Sequence, residues 1–131
     1  MVGIVLVSHS EKLAEGLKEM VAQLSGGAVP VAAAGGSPQG EIGTSAEKIK
    51  DAIQSVGGPD GVLVLVDLGS ATLNAQMAIE MLQPLPYEVR ISDVPFVEGA
   101  VVSVIHSGLG DGLDAIMEAA EGARNIPKNL D

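Results

Sequence analysis

Two residues of types that do chemistry together each end an aliphatic run. His9 closes Gly3-Ile4-Val5-Leu6-Val7-Ser8-His9, and Asp67 closes Val62-Leu63-Val64-Leu65-Val66-Asp67. If these runs are neighbouring parallel strands, an imidazole and a carboxylate meet at the C-terminal edge of a sheet, where open α/β folds place their ligands. A carboxylate on one ring nitrogen fixes the tautomer and steadies the charge that develops when the other nitrogen attacks. Near neutral pH that suits an acceptor of phosphoryl groups. Gly69 and Ser70 follow the aspartate and open the next helix, with Thr72 in its first turn. Free amides and the positive end of a helix dipole there favour a phosphate.

Two other chemistries use the same residues. Asp67 could itself be the phosphoacceptor of a receiver-like domain, or the pair could hold a metabolite phosphate with no covalent step. A receiver needs an acidic pair after its first strand to hold magnesium, and here that place reads Ser8-His9-Ser10. His106 is the other histidine and reads as structural or merely exposed. Histidines and acids lack metal-ligand spacing, so no metal is expected. Gly108, Gly110 and Gly112 follow no strand, which removes a dinucleotide fingerprint and leaves a flexible loop. No phosphate-binding P-loop is present, and the glycines around Ser70 do not form a hydrolase elbow.

The elements that must position the pair alternate between aliphatic runs and helix-period stretches, which predicts strand-helix units on a mostly parallel sheet. Strands are expected over residues 2–8, 29–33, 62–66 and 87–91. The third is the most hydrophobic and should be central; the second contains Pro30 and belongs at or near an edge. Helices follow, carrying Leu13, Leu17, Met20, Val21 and Leu24; then Ile49, Ala52, Ile53 and Val56; then Leu73, Met77, Met81 and Leu82. A fourth carries Val97, Val101, Val104 and Ile105, and a fifth Leu113, Ile116, Met117 and Ala120. Thr44-Ser45-Ala46-Glu47 reads as a capping box opening the second helix, with Thr44 as the cap. The tail from Asn125 to Asp131 reads as frayed.

With 131 residues, 47% of them hydrophobic, the chain fits one domain, residues 1–131, with one aliphatic core. One Phe, one Tyr and no Trp leave little for an aromatic binding surface, and the lack of Cys excludes disulfides and thiolate chemistry. A net charge of −10 repels nucleic acid and anionic membranes and suits a basic face on another protein. No apolar stretch approaches the roughly 20 residues of a membrane span, and the start has no signal-peptide pattern, so a cytoplasmic protein is expected.

Four segments, taken in order, resemble the mannose-type IIA proteins of the bacterial phosphoenolpyruvate-dependent phosphotransferase system. They are Val5-Leu6-Val7-Ser8-His9-Ser10, Gly40-Glu41-Ile42-Gly43-Thr44-Ser45, Val64-Leu65-Val66-Asp67-Leu68-Gly69-Ser70-Ala71 and Pro95-Phe96-Val97-Glu98-Gly99-Ala100. Sugar-transporting members carry a Trp-Gly-Gly-Ser type sequence after the aspartate. Gly69-Ser70-Ala71 therefore resembles the branch that serves dihydroxyacetone kinase.

The resemblance implies a three-layer α/β/α sandwich on a four-stranded, mainly parallel sheet in the order 2-1-3-4, with Asp67 bonded to the active His9. It implies a relay without a cofactor of its own. The phosphocarrier HPr donates to His9, and phospho-His9 passes the group to ADP held in the DhaL subunit, which with DhaK phosphorylates dihydroxyacetone. The loop at residues 34–43, with Gly35 and Gly36, and the segment from Pro95 and Phe96 to Gly99 are expected to flank the mouth and contact these partners. The family also implies a homodimer. Sugar-transporting members swap a C-terminal strand, and none is read after Ala123, so helical or edge contacts are expected instead. Some members fuse this domain to HPr-like and enzyme-I-like domains; this chain is expected to be a free-standing shuttle.

Overall fold

Strands in which every residue is apolar are stable only when both faces are covered, and the computed structural model, which describes residues 1–129, covers them. In chain order it has β1 (Gly3–Ser8), α1 (Glu11–Ser25), β2 (Val31–Gly35), α2 (Ala46–Val56), β3 (Val62–Val66) and α3 (Thr72–Leu82). These are followed by β4 (Val89–Ser92), α4 (Phe96–Gly108) and α5 (Leu113–Glu121). The sheet order is β2-β1-β3-β4 with every neighbouring pair parallel, as expected. β2 is an edge strand, and Pro30 stays outside it, offering its carbonyl to Ile4.

Strand alternation splits the interior into two layers. Val2, Ile4, Leu6, Leu63 and Leu65 face α1, α4 and α5, while Val5, Val7, Val62, Val64 and Val66 face α2 and α3. The helices reach the sheet through small residues. Ala71, Ala75 and Ala78 are fully buried along the α3 side, leaving Leu73, Met77 and Met81 facing outward. In α4 the inward residues are Gly99, Ala100, Ser103, Val104 and Ser107, and a Cβ on Gly99 would stand 2.3 Å from Val94 Cγ2.

Some boundaries differ from expectation. Ser45, not Thr44, caps α2 by accepting from the Lys48 amide at 3.2 Å. The Thr44 hydroxyl is taken by Asn74 Nδ2 at 2.6 Å, and Glu47 pairs with Lys50 instead of closing a box. A 3₁₀ turn, Gly69–Ala71, precedes α3, and β4 starts two residues later than predicted, at Val89. The tail is tied down further than expected, because Lys128 pairs with Glu98 at 2.8 Å and Arg124 with both Asp93 and Glu121. The last part of the expected frayed tail, residues 130–131, lies outside the described residues. His106 bonds Asp111 Oδ2 at 2.7 Å beside the C-terminal end of α4, next to Ser107, which donates to the Val2 carbonyl. That is the end of β1 opposite His9.

Candidate functional site

The site follows from register. Val7 pairs with Val66, so the residues after them leave the sheet side by side, and the Asp67 amide donates to the Val7 carbonyl at 3.0 Å. Each Asp67 oxygen receives two donors. Oδ1 accepts from His9 Nδ1 at 3.0 Å and the Leu68 amide at 2.7 Å; Oδ2 accepts from the Ser8 hydroxyl and the His9 amide, both at 3.0 Å. Burial works against ionisation, but the His9 amide and ring, the Ser8 hydroxyl and the Leu68 amide outweigh it and hold the Asp67 pKa below the ordinary aspartate value. The group is therefore a carboxylate at neutral pH.

An ionised carboxylate accepts only, so Nδ1 of His9 carries a proton and Nε2 has the free lone pair. Ser70 Oγ lies 2.9 Å from that Nε2 and donates to it in this tautomer. The His9 side chain keeps 22% of its surface exposed against 12% for Asp67, so the ring is more open to solvent than the acid behind it. Backbone bonds steady both sides of the histidine. Gly43 donates to the His9 carbonyl at 2.9 Å, Gly36 donates to the Ser8 carbonyl at 3.2 Å, and the Ser8 hydroxyl accepts from the Ser10 amide at 3.0 Å.

The structure joins His9, Asp67 and Ser70 directly. Gly69 is exposed in the same turn, whereas Thr72 stands one step further on, its amide engaged by the Gly69 carbonyl. Gly35 and Gly36 are buried, so exposed contact surface in this loop belongs to residues 38–42, with Ile42 at its tip 78% exposed. Pro95 and Phe96 are half-buried at the start of α4, and Phe96 packs against the core. Among the described residues no hydrogen bond joins them to the His9 cluster.

Sequence reasoning missed Ser8, which is fully buried and is held by its bonds to Asp67 and Ser10. Its signal is a hydroxyl at the end of a strand buried on both faces, where a polar group needs a partner. Gly35 has a steric role: a Cβ there would come within 2.5 Å of the Ser10 carbonyl oxygen and 2.7 Å of Glu11 Cα. Gly35→Ala is expected to push the start of α1 away and cost about 1–3 kcal/mol in urea unfolding.

The lowered Asp67 pKa has a signed consequence. A carboxylate with a folded pKa below its unfolded value contributes stability that is fully present above the unfolded value, about 3.9, and is lost as pH falls through the folded one. Acid unfolding of Asp67→Asn is expected to lose that component, seen as a shallower fall in urea midpoint below about pH 4 than in wild type.

Fold and site together define a parallel α/β domain with a carboxylate-held, partly exposed histidine at the C-terminal edge of its sheet. The model of the family described as PTS system fructose IIA component, EIIA-man, matches residues 3–117, and the chain belongs to that family. A Listeria innocua protein, "PEP-dependent dihydroxyacetone kinase 2, phosphoryl donor subunit DhaM", is 38% identical over 119 residues, covering 90% of this chain and 95% of its own. An Escherichia coli K12 relative, "PEP-dependent dihydroxyacetone kinase, phosphoryl donor subunit DhaM", is 40% identical over 121 residues, covering 89% of this chain. The chain spans only about a quarter of the length of that protein, 26%. The crystal structure of EF1359, a protein of unknown function, superposes with a TM-score of 0.79 at 32% identity, covering 99% of this chain and 98% of that one.

Proposed function

We propose that this chain, as one domain, carries phosphoryl groups for a dihydroxyacetone kinase. His9 Nε2 accepts the group from phospho-HPr and delivers it to ADP held by a DhaL subunit, which with DhaK phosphorylates dihydroxyacetone. The observation that carries this reading is the line Asp67–His9–Ser70, with bonds of 3.0 and 2.9 Å on the two ring nitrogens. The names of the Listeria and Escherichia relatives support the choice of kinase system.

In the forward step the Nε2 lone pair bonds to phosphorus while the donor's N–P bond breaks, and the imidazole becomes cationic. Asp67 balances that charge at Nδ1. The Ser70 hydroxyl turns from Nε2 to a phosphoryl oxygen, beside the exposed turn at Gly69. In the return step the N–P bond on His9 breaks as a terminal oxygen of ADP takes the phosphoryl group, and the ring returns to its neutral tautomer. The exposed loop at residues 38–42 and the segment at Pro95 and Phe96 are proposed to meet partners around the mouth. No helix among the described residues is long and apolar enough to cross a membrane; the proposed relay operates in the cytoplasm.

The test is incubation with labelled phosphoenolpyruvate, enzyme I and HPr, then mapping of the modified residue and chase onto the ADP-loaded kinase. Acid-labile, base-stable label on His9 that the kinase discharges is the expected result. A label on Asp67, or none, overturns the proposal.

A further inference from the structure

The histidine is held from two sides that belong to different parts of the chain. Its ring meets Ser70, in the turn that leads into α3, and its carbonyl meets the Gly43 amide, in the loop that leads into α2. One polar contact joins those two sides away from the ring. Asn74, in the first turn of α3, donates from Nδ2 to the Thr44 hydroxyl at 2.6 Å. Asn74 follows Ser70 by four residues, one turn along, so the two side chains lie on about the same side of the helix. Thr44 follows Gly43 directly. The contacts therefore close a ring that runs from His9 Nε2 through Ser70, Asn74, Thr44 and Gly43 back to the His9 carbonyl.

Local structure asks for neither member of the Asn74–Thr44 pair. Ser45 caps α2, so the Thr44 hydroxyl is not needed as a cap. Asparagine is a poorer helix former than alanine, and α2 and α3 already share an apolar layer containing Ile49, Ala52, Ile53, Ala71, Ala75 and Ala78. What the pair does hold is the loop. Residues 37–41 bond mainly to one another: the Ser37 amide to the Glu41 carbonyl at 2.8 Å, and the Glu41 amide to the Ser37 hydroxyl at 3.1 Å. Among the described residues, two hydrogen bonds tie residues 37–44 to other elements, from Gly43 to His9 and from Asn74 to Thr44. Gly43, at φ +147°, is a point where the backbone turns freely, so the anchor one residue on decides where its amide points.

We propose that Asn74 is a positioning residue for phosphoryl transfer, holding through Thr44 both the Gly43 amide on the His9 carbonyl and the Ser70 hydroxyl in line with Nε2; this rests on the relay proposed above. No hydrogen bond joins Asn74 to His9, so it acts on the chemistry only through its neighbours. Without the bond the loop and the start of α3 shift independently, and Ser70 loses its alignment with the nitrogen that attacks phosphorus. Misalignment of that kind lowers the rate within the donor complex and leaves docking alone.

Single-turnover labelling from phospho-HPr over a range of donor concentrations tests this. Asn74→Ala and Thr44→Val are each expected to lower the maximal rate about 10–100-fold, with the half-saturating donor concentration within about twofold of wild type. The double variant is no slower than the slower single one, because both changes remove the same bond. Thr44→Ser, which keeps the hydroxyl, restores a near-wild-type rate. In the absence of donor, 15N spectra of Asn74→Ala show the His9 Nε2 signal moved downfield by the weakened Ser70 bond. The Gly43 amide exchanges about tenfold faster or more, while amides of β3 keep their protection. Wild-type maximal rates in both single variants overturn the proposal, as do losses that add in the double variant or a Thr44→Ser as slow as Thr44→Val. A wild-type chain that takes no label overturns the relay instead. The ring signal and Gly43 exchange then decide the role of Asn74, and values unmoved in Asn74→Ala overturn it.

Discussion

His9→Ala is expected to lower phosphoryl incorporation from phospho-HPr by on the order of 10³-fold or more, to the level of a blank, in a fold that stays intact. In the proposed relay the Nε2 lone pair, engaged only by the Ser70 hydroxyl, attacks with the Asp67 anion behind it across the ring. Asp67 cannot take its place, because its two oxygens are engaged by four donors and its side chain is 12% exposed. Stability changes little, since the backbone of residue 9 still donates to Asp67 and still accepts from Gly43. A loss within about 1–2 kcal/mol is expected. Labelling and thermal unfolding of the same preparation check both halves. Retained label places the acceptor elsewhere, and a chain that no longer folds makes His9 a structural residue.

Asp67→Asn is expected to slow phosphorylation of His9 by on the order of 10²–10⁴-fold, the range seen when an imidazole loses its orienting carboxylate. The amide removes the negative charge that balances the cationic ring, and it no longer selects the Nδ1–H tautomer. It also has one oxygen where four donors converge, and its NH₂ faces groups that donate already. Each donor left unsatisfied costs about 1–3 kcal/mol, so a lower urea midpoint accompanies the slower transfer. Single-turnover labelling separates the two effects, because folded protein is counted before the rate is measured. A variant with wild-type rates removes Asp67 from the chemistry.

The strands were legible because runs such as Val62-Leu63-Val64-Leu65-Val66 fit only a strand covered on both sides, and Pro30 marked the edge. The pairing of His9 with Asp67 followed from two strand ends and one assumption, that β1 and β3 are neighbours. Helix faces were harder to read. In α3 the large residues Leu73, Met77 and Met81 look outward, and alanines make the buried contact, because close approach to a sheet favours small side chains while periodicity records only apolarity. Thr44 and Ser45 are both competent caps, and which one serves depends on Asn74, thirty residues away. Gly35 and Gly36 suggested a supple partner loop; tertiary packing against Ser10 and Glu11 buries them. Ser8 gave no local sign of its bond to Asp67, which only the completed sheet creates.

The amides of Gly36 and Gly43 pin the carbonyls of Ser8 and His9, while Asp67 grips the ring, so the histidine is set before any donor arrives. Between collisions only the Ser70 hydroxyl is proposed to turn. In the proposed relay, throughput is therefore governed by how often protein surfaces meet in the right orientation. Viscosity and ionic strength would set its pace more than any internal motion of the carrier.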